Sequence, residues 1–297
     1  MHKQPHKRAF YTLAGCIAAL ALCVAASLFL LTPAPKAQDV TIPGTRGDIY
    51  ATVQLPGKLA RGEELPLVVL CHGFTGSRSG DGHFAPLAAD LAAQGIATVR
   101  LDFPGCGNST EPFTAVESAI TYMQHTYGTD RTALVGHSMG GRLASLYPQR
   151  RGGITALALW SPANGAGLRG MEFLNIDDFS AVEALAAEAE ASGSISTWGV
   201  DVSGTLFTEM RDSDPNAALR ESALPTLLTY TGHEGILSDT TQAETIAAVE
   251  SLPDGRVVLE PFAEGNHNYL SEDTATAAAL DKALRETTVA FLVEYLK

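Results

Sequence analysis

From residue 65 onward the chain repeats one unit, a short uninterrupted apolar run followed by an amphipathic stretch. "LPLVVLCHG" (65–73) is followed by "FAPLAADLAAQG" (84–95), "IATVRLD" (96–102), a helical pattern from Ala115 to Tyr127, "TALVG" (132–136), "MGGRLASLYPQ" (139–149) and "ITALALW" (154–160). The alternation resumes with "LPTLLTYTG" (224–232), "TTQAETIAAVESL" (240–252), "RVVLEPF" (256–262) and an amphipathic helix from about Thr274 to Leu296. A strand that is apolar on both faces has to be covered on both faces. The pattern therefore predicts an α/β domain, a doubly wound, mostly parallel sheet between two layers of helix. With 297 residues, 45% of them apolar, the chain has material for one such domain and an appendage.

Residues 163–223 interrupt the rhythm between two strands. They contain an Ala/Glu-rich helical stretch from Ser180 to Ser192. A structureless loop of that length is rare in a compact domain, so the interval reads as a lid insertion above the sheet edge. Ahead of the domain, "TPAPKAQDVTIPG" (32–44) carries Pro33, Pro35 and Pro43 and reads as an extended linker, residues 32–45, with the domain occupying 46–297.

The N-terminus is different in kind. Lys3, Lys7 and Arg8, in a short tail of residues 1–8, precede an uncharged stretch from Ala9 to Leu31. As a helix it would be about 35 Å long, enough to span a bilayer. Its length exceeds the apolar region of a cleaved signal peptide, and "PKA" before Gln38 is a poor cleavage site, so residues 9–31 are read as a transmembrane anchor. The positive flank keeps the tail cytoplasmic and places the domain outside. A signal peptide cleaved near Gln38, or a lipoprotein processed at the Cys16 of "LAGC", are the alternatives.

The formal net charge of −13, with no basic cluster after residue 46, excludes a nucleic-acid partner and disfavours acidic ligands at long range. Of four cysteines, Cys16 and Cys23 lie in the apolar segment. Cys71 and Cys106 are left for the domain, read as small buried hydrophobes, with pairing as the alternative. No spacing of Cys or His suggests a metal, and no cofactor motif is present.

"VGHSMGG" (135–141) holds Gly-x-Ser-x-Gly between a predicted strand and a predicted helix. That context turns a common pentapeptide into a candidate nucleophile elbow, in which Ser138 is lifted above the sheet at the start of a helix. A serine hydroxyl is a weak nucleophile and needs a base oriented by an acid. "EGNHNYLSED" supplies His267 after the last predicted strand, on the same sheet edge as Ser138. "TYTGHEGILSD" offers two acids: Glu234 comes straight off a strand, whereas Asp239 sits where a helix N-cap would be, so Glu234 is preferred. Acyl transfer also needs donors for an oxyanion, and the backbone N–H groups of Phe74, in "CHGFTGS" (71–77), and of Met139 are the expected pair. "NST" (108–110) matches a glycosylation acceptor but reads more simply as part of a loop.

"HGFTGSRS", "GIATVRLDFPGCGNS", "VGHSMGG", "GHEGILS" and "GNHNYLSED" resemble the alpha/beta-hydrolase family, most of all its bacterial cinnamoyl or feruloyl esterase-type carboxylesterases, over residues 46–297. The resemblance implies an eight-stranded sheet with a lid after the sixth strand, Ser138 as nucleophile, His267 as base, and Phe74 and Met139 as oxyanion donors. The chain departs from the family at the acid: the usual Gly-x-x-Asp turn is replaced by Thr231 and Glu234. Three functions follow from these readings. The first is a serine esterase acting on a small-molecule ester. The second is a peptidase or amidase using the same groups on small acylated substrates, and the third a non-catalytic receptor on the same fold.

Overall fold

The computed structural model describes residues 36–45, 47–57, 65–105, 107–108, 110–253 and 255–297. The predicted tail, the anchor of residues 9–31, Cys16, Cys23 and Cys106 lie outside them. Among the described residues no helix is long and apolar enough to cross a membrane.

The first nine described residues correct the sequence reading. Lys36–Gly44, expected as linker, is a strand, β1, paired antiparallel with β2 (Gly47–Leu55) through a tight turn that sets Gly44 opposite Gly47. Val40 and Ile42 alternate with polar neighbours and Ile42 is buried, as are Ile49, Ala51 and Val53 of β2. That period-two burial makes the hairpin part of the domain. Pro43 is tolerated because β1 is an edge strand.

Then follow β3 (Leu65–Cys71), α1 (Phe84–Ala93), β4 (Ala97–Leu101), α2 (Thr110–Tyr127), β5 (Thr129–His137), α3 (Met139–Arg151) and β6 (Ala156–Trp160). Next come a 3-10 segment (Gly167–Leu174), α4 (Phe179–Ser192), a hairpin of β7 (Ser194–Thr197) and β8 (Val200–Ser203), α5 (Gly204–Arg211) and α6 (Pro215–Ser222). The chain closes with β9 (Thr226–Thr229), β10 (Thr231–His233), α7 (Asp239–Glu250), β11 (Val257–Leu259), β12 (Phe262–Asn266) and α8 (Thr274–Leu296). Asn108 caps α2: its side-chain oxygen accepts from the N–H groups of Thr110 and Glu111 and its amide donates to Glu111, so "NST" serves as a helix start.

Eight strands form one sheet in the order β1-β2-β4-β3-β5-β6-β9-β11, parallel from β4 to β11. Successive residues of β3 point to opposite sides. Leu67, Val69 and Cys71 join a core with Val116 and Met123 of α2 and Leu143 of α3, while Val68 and Leu70 join Leu87 and Leu91 of α1 and Leu284 and Phe291 of α8. Both faces are thus covered, as uninterrupted apolar strands require. Strand order reverses around β3, with β4 on one side and β5 on the other, and ligands of such sheets sit at the carboxyl ends of the strands at this switch point.

The interval from residue 163 to 223 has its own small core, in which Met171, Val182, Ala186, Val202 and Phe207 are buried together. Its attachment to the sheet domain runs through Arg142, described below.

Candidate active site

Three chain segments meet at the switch point. β5 ends at His137, and the chain turns into α3 through Ser138, whose backbone is at φ 55° and ψ −118°. A non-glycine residue there is strained and persists only where its surroundings over-determine it. They do: the Ser138 N–H donates to the Trp160 carbonyl, and its own carbonyl accepts from the N–H groups of Arg142 and Ala163. The turn is also too tight for side chains. A Cβ on Gly136 would collide with the Gly140 carbonyl, and one on Gly140 with the carbonyl of Cys71 in the neighbouring strand. The Ser138 side chain makes no capping bond to α3, which distinguishes it from an ordinary N-cap serine.

The pair of Glu234 and His267 is set by strand register. β10 and β12 run parallel with His233 opposite Asn266, so the next residue of each strand lies side by side. His267 Nδ1 stands 2.5 Å from Glu234 Oε2, with both side chains buried. The other carboxylate oxygen accepts from the Ser161 hydroxyl and, more distantly, from the Thr231 N–H at 3.4 Å. With Nδ1 committed to the carboxylate, His267 Nε2 is buried without a hydrogen-bond partner. This is the nitrogen a general base would present to a serine hydroxyl. Asp239, the alternative acid, is an exposed first-turn residue of α7, whose cap is the Ser238 hydroxyl.

The oxyanion loop follows β3. Here a Cβ on Gly73 would lie 3.1 Å from the Ser138 Cβ, so the backbone passes directly beside that side chain. Among the described residues the Phe74 N–H donates to no backbone carbonyl, and the Met139 N–H is one of the donors that the start of α3 leaves without a helical acceptor. His72 anchors the loop. Its Nε2 accepts from the Phe103 N–H at 3.0 Å, so Nδ1 carries the hydrogen and donates to the Gly73 carbonyl at 2.7 Å. Burial lowers its pKa and keeps the ring neutral. The Phe74 ring packs against Phe173 and the half-exposed Trp198 of the insertion, with centroids 5.1 and 6.4 Å away.

Sequence reasoning missed several members of this site. Ser161 follows β6 at φ 40° and binds Glu234, and buried Tyr269 sits with its hydroxyl 3.1 Å from the Ser161 Oγ while donating to the Thr229 carbonyl. His137, inside the motif and next to Ser138, donates its Nε2–H to the carbonyl of His267 at 3.0 Å. Burial, then the neighbouring His267, push its pKa down to about 3, so the ring is neutral. Serine, tyrosine and histidine in these roles carry no spacing signature, since each is defined by a contact between distant segments.

Arg142 is fully buried on α3. Its Nη1 donates to the carbonyls of Ala163 and Gly165, and its Nη2 to the hydroxyl of Ser213, with the carbonyls of Ser213 and Gly167 further off. Both ends of the insertion are thereby fastened to the helix that begins directly after Ser138. Beside the oxyanion loop and Met139 opens a mainly apolar cavity of about 230 Å³, bounded by Phe74, Phe113, Leu143 and Leu206.

This fold, with its sharp strand-to-helix turn and buried acid–histidine pair, defines a hydrolase of the doubly wound class. The alpha/beta hydrolase family model matches residues 68–295, and the chain belongs to that family. No curated protein is significantly similar in sequence. Among solved structures the chain is similar to Est1E from Butyrivibrio proteoclasticus, at 18% identity and a TM-score of 0.63, covering 86% of this chain and 98% of that one. It is likewise similar to Est1E with ferulic acid bound, at 19% identity and a TM-score of 0.66, covering 85% and 99%. The Pyrococcus furiosus esterase Pf2001 matches at 15% identity with a TM-score of 0.60, over 89% and 92%. At such identities the likeness is one of fold.

Proposed function

We propose that the chain is a serine carboxylesterase-type hydrolase that cleaves small-molecule esters through an acyl-enzyme. The observation carrying this reading is the buried pairing of His267 Nδ1 with Glu234 at 2.5 Å, which leaves Nε2 unpartnered at the sheet edge where Ser138 occupies its strained turn. Ser138 Oγ adds to the ester carbonyl as His267 Nε2 takes its proton, and the Phe74 and Met139 N–H groups receive the oxyanion. The intermediate collapses, and the alkoxide leaves with the proton returned by His267. Water, deprotonated by the same nitrogen, then attacks the acyl-enzyme and frees the acid. Glu234 holds the imidazole with Nε2 bare and stabilises the imidazolium as it forms. None of these steps draws on a metal or organic cofactor.

Hydroxycinnamoyl esters belong in the substrate panel because the motifs resemble feruloyl esterase-type enzymes and Est1E binds ferulic acid. The esterase reading is tested by exposing the full chain to a fluorophosphonate probe and to para-nitrophenyl and hydroxycinnamoyl esters. Labelling at Ser138, with turnover lost in Ser138→Ala at unchanged melting temperature, supports it. A folded chain that is neither labelled nor active favours a receptor. We further propose that residues 9–31 anchor this catalytic domain to a membrane with the domain on the outer side.

A further inference from the structure

The chain carries 33 acidic residues against 20 Lys and Arg, yet among the described residues no Asp or Glu lines the cavity beside Ser138, and two arginines, Arg142 and Arg150, do. Both come from α3. Met139, Leu143, Leu146 and Arg150 recur at the three- and four-residue spacing that keeps side chains on one helical face, so the cavity runs along the helix from the nucleophile outward. Arg142 forms part of its wall near the inner end. This side chain is 2% exposed, donates to carbonyls and a hydroxyl, and among the described residues its Nε has no hydrogen-bond partner. Burial, and after it the charge of Arg150, lower its pKa to about 9, with only Asp214 opposing.

Arg150 occupies the outer end, its guanidinium carbon 4.6 Å from the centroid of the Phe113 ring. Among the described residues neither Arg142 nor Arg150 has a carboxylate within ion-pair distance, whereas the adjacent Arg151 pairs with Glu117 at 3.3 Å. Glu209 of α5 acts on Arg150 electrostatically but does not line the cavity. A buried cation on the wall and a second, exposed one at the outer end, neither with a carboxylate within ion-pair distance among the described residues, give the cavity a positive lining in a strongly negative protein.

We propose that this cavity binds an arm of the substrate ester that is a slender apolar chain ending in a carboxylate, the chain lying against Leu143 and Leu146 and the carboxylate paired with Arg150. The proposal rests on the serine-esterase reading and specifies its substrate class. From Met139 to Arg150 the helix rises about 16 Å, which the backward lean of a helical side chain shortens to roughly 10 Å. That span suits a medium-length chain. Arg150 presents a planar fork that pairs with a carboxylate through two hydrogen bonds, while Arg142, its head already engaged, contributes field. The net charge of the chain repels anions at long range, so recognition depends on contact inside the cavity.

The test compares neutral and ω-carboxylate esters of matched length on the full chain in detergent. One series varies the acyl arm, para-nitrophenyl octanoate against the para-nitrophenyl half-ester of suberic acid. The other varies the alcohol arm, hexyl acetate against the acetate of an ω-hydroxyhexanoate. In one series the charged ester should have a kcat/KM about tenfold or more above its neutral counterpart, mainly through KM. Arg150→Gln should bring that ratio close to one, and Arg150→Lys should restore part of it. Equal or poorer turnover of the charged ester in both series, or a preference that survives Arg150→Gln, overturns the proposal while leaving the esterase reading intact. Loss of all turnover and of fluorophosphonate labelling in the wild type overturns both.

Discussion

His137 donates its Nε2–H to the backbone carbonyl of His267, a residue 130 positions away in the chain. The residue before Ser138 therefore holds the loop that carries His267, and the two arrive at the sheet edge as one unit. Ring centroids of the two histidines are 5.0 Å apart.

His137→Phe keeps an aromatic ring and removes the donor. Loss of one such bond should lower kcat by about tenfold through misplacement of the base, with KM little changed, in steady-state kinetics on any hydrolysed ester. The same variant changes stability against pH. The unfolded chain binds a proton at this position near pH 6.5, the folded one only near pH 3. Between those values the unfolded state holds more protons, so stability falls as pH drops through that window, by up to about 1.4 kcal/mol per unit. Thermal melts of the wild type from pH 7 to 4 should show this decline, and His137→Phe should lose its share of it.

Glu234→Gln leaves the packing nearly intact but favours the wrong imidazole tautomer. Turnover should drop by about three orders of magnitude or more, whereas Asp239→Asn, at an exposed helix start, should change it less than about twofold. Ser161→Ala removes the second hydrogen bond to the carboxylate and should fall between them. If the Asp239 variant proved the more damaging, the acid would have to be reassigned.

Arg142→Met should destabilise the domain by several kcal/mol, because it strands buried carbonyls at Ala163 and Gly165 and the Ser213 hydroxyl without a donor. The damage should be greatest in the insertion. Limited proteolysis should cut within residues 163–223 before the sheet domain, and Arg142→Lys should not restore protection, since an ammonium cannot span the same acceptors. Uniform melting with no early cleavage would show that the arginine does not fasten the insertion.

The membrane proposal rests on the uncharged stretch from Ala9 to Leu31 behind Lys3, Lys7 and Arg8. Full-length protein should sediment with membranes and resist extraction by high salt, and protease added outside cells stripped of wall should remove the domain. A soluble mature protein beginning near Gln38 would instead make the stretch a cleaved signal, and a diacylglycerol-modified Cys16 a lipoprotein.

What the sequence revealed and what it hid have different physical origins. Strands covered on both faces leave long apolar runs, and Ser138, His267 and Glu234 each follow such a run, so α1 to α3, β3 to β6 and the segments that bring those three residues to one sheet edge could be read directly. β1 lies at the sheet edge, where Val40 and Ile42 alternate with exposed polar residues instead of forming an apolar run, β2 mixes Thr52 and Gln54 among its apolar residues, and the prolines around β1 imitate a linker. Ser161, Tyr269 and Arg142 belong to the site through contacts between segments far apart in sequence, which no local pattern records.

Helix α3 begins directly after Ser138, carries the insertion's fastening at Arg142 and ends beside Arg150. If the cavity takes the proposed arm, this helix acts as a gauge, graduated at about 5.4 Å per turn, for how long that arm can be. Chain-length preference would then be a property of one face of α3. Enlarging Leu146 would shorten the accepted chain by roughly a turn and enlarging Leu143 by roughly two, both without altering Ser138, Glu234 or His267. Descendants of such a chain can therefore change diet by substitutions along a helix, with the reacting groups and the loops around them left alone.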